Sequence, residues 1–385
     1  MKLSVCVVTY KHEAFIRQCI ESAANQAVSF NYEIVVGEDH SPDGTLAILK
    51  DLLLQFPDKL RLNERPCNLG AEVNFNQTIS ECRGEYIAFL EGDNFWTDED
   101  KLQRQVDFLD ANPSVAFCFH QTPYIDITGE RTGVILPPEN PPTITDISFL
   151  LHEYNPVPLG SMVVRRSLLE GLVDWVSGLK LGDWPLCFML ASRGNIGFIA
   201  EEMSVQRVHK GGSWQLLPSL VQGIYILQML NTVSPRLNLP EKQILENRAK
   251  DYTSWISTQL FLSDIETINS TFQKIESFSG SAELFSILKE NTLTARQKYA
   301  EVVEEKNKIL SEKDDLICLL GEYEQHLYRA HKRPLKISID LIVYHVLEFL
   351  RLQNKVFSEK QIAKLTRSSA KRAPDRYRKY SKDQR

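Results

Sequence analysis

The sequence predicts an α/β protein: a doubly wound, mostly parallel sheet flanked by helices, followed by a mainly helical C-terminal region. Three observations lead there. Apolar runs of strand length alternate with longer segments of helical periodicity through the first half of the chain. Acidic clusters stand directly after two of those runs, where open parallel sheets bind their ligands. From about Leu217 onward the alternation gives way to long helical patterns.

Leu3 to Val8 is the first apolar run, unbroken as a strand buried on both faces should be. Thr9-Tyr10-Lys11-His12 is its loop, and Glu13 to Ala27 then carries Phe15, Ile16, Cys19, Ile20 and Ala23 at helical spacing. Tyr32 to Gly37 is the second strand, Glu38 to Gly44 a loop, Thr45 to Phe56 a helix and Leu60-Arg61-Leu62 a third strand. Asn68 to Cys82 reads as a helix. It leads through the turn Arg83-Gly84-Glu85 into the strand Tyr86 to Leu90. Thr97 to Leu109 is helical, with Thr97 the expected N-cap and three acids in the first turn. Val115 to His120 is a strand, the Pro-rich Leu136 to Thr145 a surface loop, and Leu159 to Val164 a return to the sheet. Pro185 to Ser192 makes a short helix, and Phe198 to Val208 completes the α/β part. Helical patterns then fill Leu217 to Leu230, Glu241 to Ile268 and the Glu- and Lys-rich Ala295 to Ala330. Pro334 separates these from a last apolar segment, Ile337 to Leu352. The expected division is residues 1–225 for the α/β domain, 226–365 for the helical region and 366–385 for a basic, disordered tail.

A length of 385 residues is about twice a typical domain of ~100–200 residues, which suits this division. A net charge of -6 argues against a general nucleic-acid binder, and no specific nucleic-acid partner is expected. The charge is uneven: Lys371 to Arg385 holds seven Lys or Arg against two Asp. Such a tail is a solvated end or else a contact with an anionic membrane surface or nucleic acid. The seven cysteines are scattered without zinc-ligand spacing, as expected of reduced thiols. The chain enters its first strand within three residues, so no signal peptide is expected. No stretch reaches the ~20 apolar residues of a membrane span. The expected location is cytoplasmic, with the tail a candidate for contact at the inner face of the membrane.

Glu91-Gly92-Asp93 is the most informative tripeptide. It follows a buried strand, where isolated carboxylates are costly unless paired or bound to a metal. Two acids around a glycine at a strand tip suit a hard divalent cation, Mn²⁺ or Mg²⁺, and through it a phosphorylated donor. Asp93 is the first ligand, with Glu91 reaching the metal through water or the donor itself. The competing reading is a solvated acidic turn. His209, beside the flexible Gly211-Gly212, is a candidate further ligand or else a surface histidine. Arg207 and Lys210 are candidates to neutralise a diphosphate. Glu38 and Asp39 close the second strand and can accept from a nucleobase and a ribose hydroxyl, with Thr9 and Tyr10 lining the same crevice. Alternatively Glu38 and Asp39 belong to a helix N-terminus, a capping role expected of Asp43 and Thr45. Asp183, in Gly182-Asp183-Trp184, is a candidate general base or else an N-cap. Trp184 either stacks on a sugar ring or packs in the core.

Taken together, the residues from Ser4 to Tyr10, from Glu33 to Thr45, Asn68-Leu69-Gly70 with Asn74, and Gly84 to Asp93 resemble family 2 glycosyltransferases. The run Phe95-Trp96-Thr97, then Lys101-Leu102 and Gln105 to Leu109, is similar to the bacterial subgroup of surface-polysaccharide and cell-wall synthesis. The resemblance covers about residues 1–215. It implies the GT-A fold and an inverting, metal-dependent transferase (EC 2.4 class) that moves a sugar from a nucleoside-diphosphate donor to a hydroxyl. The acceptor would be a saccharide, a lipid-linked glycan or a protein. By the same resemblance Glu91 and Asp93 match the first and last acids of the metal motif, and Glu38-Asp39 the nucleoside-holding pair. Asp183 matches the general base, and His209 the late histidine of the metal or diphosphate site. Two positions depart from the pattern: Asn94 stands where a second Asp is common, and Glu38 replaces the first Asp of the nucleoside pair. The rival readings are a sugar-phosphate nucleotidyltransferase and a non-catalytic scaffold for glycan assembly. The loop Thr9 to His12 lacks the glycines of the former, and the C-terminal helices would serve the latter or a homo-oligomer.

Overall fold

Strand β1 (Leu3–Thr9) is buried along almost its whole length, because a parallel neighbour lies on each side of it. In the computed structural model these neighbours are β2 (Tyr32–Glu38) and β4 (Tyr86–Glu91), and β3 (Leu60–Glu64) extends the sheet beyond β2. The structure describes residues 1–262, apart from 153, 177, 181, 210–213, 215 and 216, together with residue 297. Three helices connect the parallel strands: α1 (Ile16–Ala24), α2 (Thr45–Gln55) and α3 (Ala71–Glu81). The order β3-β2-β1-β4 reverses direction between β1 and β4, which is where open sheets of this kind form a ligand crevice. The register places Thr9 opposite Glu38 and Val8 opposite Glu91, so the predicted site residues share one edge of the sheet.

The second half of the sheet is mixed. After β5 (Phe95–Trp96), α4 (Lys101–Ala111), β6 (Val115–Ile125), β7 (Arg131–Leu136) and β8 (Ile144–Thr145), the chain makes a long irregular connection. It returns as the three-residue β9 (Val163–Arg165), antiparallel to both β4 and β6. Helices α5 (Leu172–Val176) and α6 (Asp183–Ala191) follow, then β10 (Asn195–Glu202), parallel to β6. Strand β11 (Ser204–Arg207) pairs antiparallel with β5 and parallel with the end of β6. That pairing explains why β6 runs five residues beyond the expected His120: its second half leaves the main sheet to receive β7 and β11.

Helix boundaries move where a loop is held from elsewhere. Helix α3 begins at Ala71, because the Leu69 and Gly70 amides donate to the Asp39 carboxylate at 2.7 and 3.0 Å and are drawn out of the helix. Helix α4 begins at Lys101, and Thr97 is not its N-cap. The Thr97 amide donates to the Met203 carbonyl, and a turn in which the Asp100 amide donates to Asp98 Oδ1 precedes the helix. The cysteines of the described residues are unpaired thiols, five of the six buried.

The chain divides into two compact units, one of residues 1–217 and 232–242, the other of 218–231 and 243–385. Helices α7 (Ser219–Val233) and α8 (Glu241–Leu262) supply the described part of the second unit. They approach closely there: a Cβ on Gly223 would lie 2.3 Å from the Trp255 indole. The helical segments expected at 295–330 and 337–352 and the basic tail lie outside the described residues, Gln297 excepted. Among the described residues no helix is long and apolar enough to cross a membrane.

Lys101 is fully buried at the start of α4. Its Nζ donates to Gln105 Oε1 at 2.6 Å and lies 4.2 Å from the Trp96 ring centroid. Burial pushes its pKa down to about 7. Between pH 7 and the ordinary lysine value the unfolded chain therefore holds a proton that the folded chain does not, and stability rises with pH. The expected result is that the wild type gains ~1.4 kcal/mol per pH unit on Lys101→Met between about pH 8 and 9.5, and about half that slope at pH 7. Urea midpoints of both proteins across that range check it, and parallel curves would refute it.

Candidate active site at the strand tips

Two loops beyond β1 and β2 are stitched together by side chains. The Lys11 amide donates to Ser41 Oγ, the His12 amide to Thr45 Oγ1 at 2.9 Å, and the Gly44 amide to Glu13 Oε2. Asp43 accepts from the Thr45 amide and hydroxyl and from the Glu13 amide; the N-cap of α2 is Gly44, so neither Asp43 nor Thr45 holds the expected capping position. Lys11 and His40 adopt positive φ, 60° and 58°, within these tight loops. The result is a fixed position for His12 above the β1 tip.

Asp93 follows β4 at the same edge. Its Oδ2 lies 2.9 Å from His209 Nε2 and 3.8 Å from His12 Nε2. One ligand atom from each of His12, Asp93 and His209 falls within 4.8 Å of the others. Asp93 Oδ1 is buried and has no hydrogen-bond partner among the described residues. A buried carboxylate oxygen without a donor suits a cation as its partner. The residues present therefore suit a divalent metal. The other His12 nitrogen, Nδ1, lies 3.1 Å from Thr9 Oγ1. The pairing of β11 with β5 carries the following residues past Asp93, and so residue 209 meets residue 93. His12 was not legible as a ligand. The only signal in the sequence was a histidine in the loop directly after the first strand.

Arg207 holds this arrangement from behind. Its Nε donates to the Asp93 carbonyl at 3.0 Å, its guanidinium reaches Gln18 Oε1, and its plane lies against the Phe15 and Phe95 rings. Its backbone amide donates to Asn94 Oδ1 at 2.7 Å, while Asn94 Nδ2 donates to Glu91 Oε2 at 3.0 Å. Asn94 is thus turned towards Glu91 and away from the His–Asp–His cluster. Glu91 stands outside that cluster, and its carboxyl is pushed up to about 8 by burial and by repulsion from Asp93 and Asp183. Burial also raises the Asp183 carboxyl.

The remaining predicted residues are placed as follows. Asp183 opens α6, and its Oδ2 accepts from Asn155 Nδ2 at 2.8 Å. Its charge is one of the causes that raise the Glu91 carboxyl. Trp184 is 2% exposed and stacks on Phe188, which decides for core packing over a sugar platform. Thr9 is buried and Tyr10 exposed, with Lys11 Nζ over the Tyr10 ring. Glu38 accepts from the amides of His40 and Ser41, and Asp39 from those of Leu69 and Gly70. The contact made by Asp39 spans about thirty residues, which is why local spacing gave it nothing to cap. Lys210 lies outside the described residues.

Gly92 is required by this packing. A Cβ there would stand 2.5 Å from Thr9 Oγ1 and 2.6 Å from His12 Nδ1. Gly92→Ala leaves the identity of every candidate ligand unchanged yet crowds His12. We expect it to weaken Mn²⁺ binding by about tenfold or more, on the scale of losing a partner that orients a ligand. Calorimetric titration with Mn²⁺ checks this, and wild-type affinity in a folded Gly92→Ala protein would refute it.

Residues 4–172 match the family model described as "Glycosyl transferase family 2". An uncharacterised protein of Mycobacterium tuberculosis is 32% identical over 212 residues, covering 55% of this chain and 60% of that protein. An uncharacterised glycosyltransferase of Nostoc is 26% identical over 217 residues, covering 54% of this chain and 65% of its own length. In both cases the match spans less than two thirds of the relative. Among solved structures, S. aureus TarS 1-349 in complex with UDP-GlcNAc superimposes with a TM-score of 0.54 at 18% identity, covering 80% of this chain and 92% of that one. That likeness establishes a shared GT-A architecture.

Proposed function

We propose, from the match of residues 4–172 to the family 2 glycosyltransferase model, that this chain transfers a sugar, with inversion, from a nucleoside-diphosphate sugar to a hydroxyl of a surface glycan. The observation that carries this reading is the convergence of Asp93, His209 and His12 at the reversal point of the sheet. A divalent cation held by Asp93 and His209 would supply the positive charge that a departing diphosphate needs.

The chain's own residues do the rest. Thr9 and Tyr10 border the crevice beyond β1, where the nucleoside would lie. Asp39 fixes the loop at Leu69 and Gly70 on the far side of that crevice. Two of the roughly four acceptor positions of its carboxylate are taken by those amides, leaving two for a nucleobase N–H or a ribose hydroxyl. Arg207 sets the Asp93 backbone. Asp183 takes the proton of the acceptor hydroxyl as that oxygen bonds to the anomeric carbon and the bond to the diphosphate breaks. Asn155 donates to Asp183 Oδ2, and the backbone amides of Trp184 and Asp183 also donate to this carboxylate, so it is held in place as the proton acceptor.

Thermal shift with UDP, GDP and dTDP, each with and without Mn²⁺, tests the reading. Stabilisation by one nucleoside diphosphate that grows with Mn²⁺ is expected. Indifference to all three in the presence of metal would overturn it. Incubation with a panel of nucleotide sugars then identifies the donor from the diphosphate released.

A further inference from the structure

We propose, resting on the reading just given, that His12 is a third protein ligand in this site, which makes it a two-imidazole, one-carboxylate set that selects Mn²⁺ or another transition ion over Mg²⁺. Four observations support it. The Nε2 atoms of His209 and His12 lie 2.9 and 3.8 Å from the same Asp93 oxygen. Ligands bound at ~2.0–2.2 Å to one ion are separated by about 3 Å when adjacent and about 4 Å when opposite, so both distances fit a shared ion. His12 Nδ1 faces the Thr9 hydroxyl, which can accept its proton and leave the Nε2 lone pair directed at Asp93. The His12 backbone is pinned by Thr45, and Gly92 clears the space beside its ring. Asp93 Oδ1 is buried without a donor among the described residues.

The identity of the ligands decides the preference. Asn94, the nearest further oxygen donor in the motif, has both ends of its amide engaged by Glu91 and Arg207. Two imidazoles and one carboxylate remain. Mg²⁺ favours oxygen ligands and holds its waters; imidazole suits Zn²⁺, Cu²⁺, Fe²⁺ and Ni²⁺ best, and Mn²⁺, at the weak end of the same series, still takes nitrogen ligands more readily than Mg²⁺.

The test uses the full chain without nucleotide and titrates Mn²⁺ or Mg²⁺ alone by calorimetry, with Co²⁺ as a visible-absorption probe. The wild type should bind Mn²⁺ at least about tenfold more tightly than Mg²⁺. His12→Ala and His12→Gln should each weaken Mn²⁺ by at least about tenfold, since losing a ligand costs no less than losing a partner that orients one, itself worth about 10–100-fold. Both should also change the Co²⁺ d–d bands, while Mg²⁺ affinity changes by less than about threefold. Metal-free melting temperatures near wild type show that either variant is folded, and one folded variant suffices. Wild-type Mn²⁺ affinity and an unchanged Co²⁺ spectrum in a folded His12 variant, with binding lost in Asp93→Ala, would overturn the assignment of His12 and leave the transferase reading standing. Equal losses of Mn²⁺ and Mg²⁺ in the His12 variants would overturn the selectivity. Mn²⁺ binding that survives Asp93→Ala unchanged would overturn both.

Discussion

Asp93→Asn is expected to lower metal-supported sugar transfer by ~10²–10³-fold, the scale on which an enzyme loses rate when one preorganised charge-stabilising group is removed. The substitution keeps the size and shape of the side chain. The contact that ties this segment to Arg207 runs through the Asp93 backbone carbonyl and is left intact. What disappears is the negative charge that faces His209 and His12. Without metal the variant should stay close to the wild type in stability: burial raises the Asp93 carboxyl, but its hydrogen bond to His209 and the nearby imidazoles hold it below the ordinary value, and the loss of that stabilisation is offset by relief of the repulsion on Glu91. A residue retained for folding would behave the other way, because breaking a buried pair by removing one partner costs ~3–5 kcal/mol. Donor turnover with Mn²⁺, read together with metal-free urea midpoints, separates the two. A variant that turns over at the wild-type rate, or unfolds far more easily without metal, would remove Asp93 from the chemistry.

The parts of this protein that were legible in its sequence are those set by local periodicity. Strands β1, β2 and β4 are continuous apolar runs, and the acids at their ends fall at one edge of the sheet because parallel register puts them there. Contacts that span the chain were not legible. Asp39 and Gly70 meet through a loop, so neither the true start of α3 nor the structural duty of Asp39 could be read from spacing. Arg207 reads as a free cation for a diphosphate, yet its guanidinium lies between two aromatic rings and holds a backbone carbonyl. His12 and His209 are 197 positions apart, and only the pairing of β5 with β11 brings them to one carboxylate. The mixed half of the sheet depends likewise on β9, a three-residue strand too short to announce itself.

For Asp183 the expected result is a loss of ~10²–10⁴-fold in kcat for Asp183→Asn, the usual contribution of a positioned general base, with donor affinity unchanged. Its carboxylate opens α6 and is oriented by Asn155, so the amide that replaces it can keep that contact and lose only the proton acceptor. The pH profile carries the sharper test. Burial raises the Asp183 carboxyl above the ordinary aspartate value, and the hydrogen bond from Asn155 opposes that rise by favouring the charged form. A base works only when deprotonated, so activity should fall on the acid side through this raised value. Removing the opposing bond in Asn155→Ala should push the carboxyl further up and move the acid limb of kcat/KM to higher pH, with the rate recovering on the alkaline side. An Asn155→Gln protein that keeps a donor in reach should bring the limb back towards wild type. If Asn155 merely supported the fold, its loss would scale the whole profile down without moving the limb, and a limb that stays put in Asn155→Ala would take Asp183 out of the role of base.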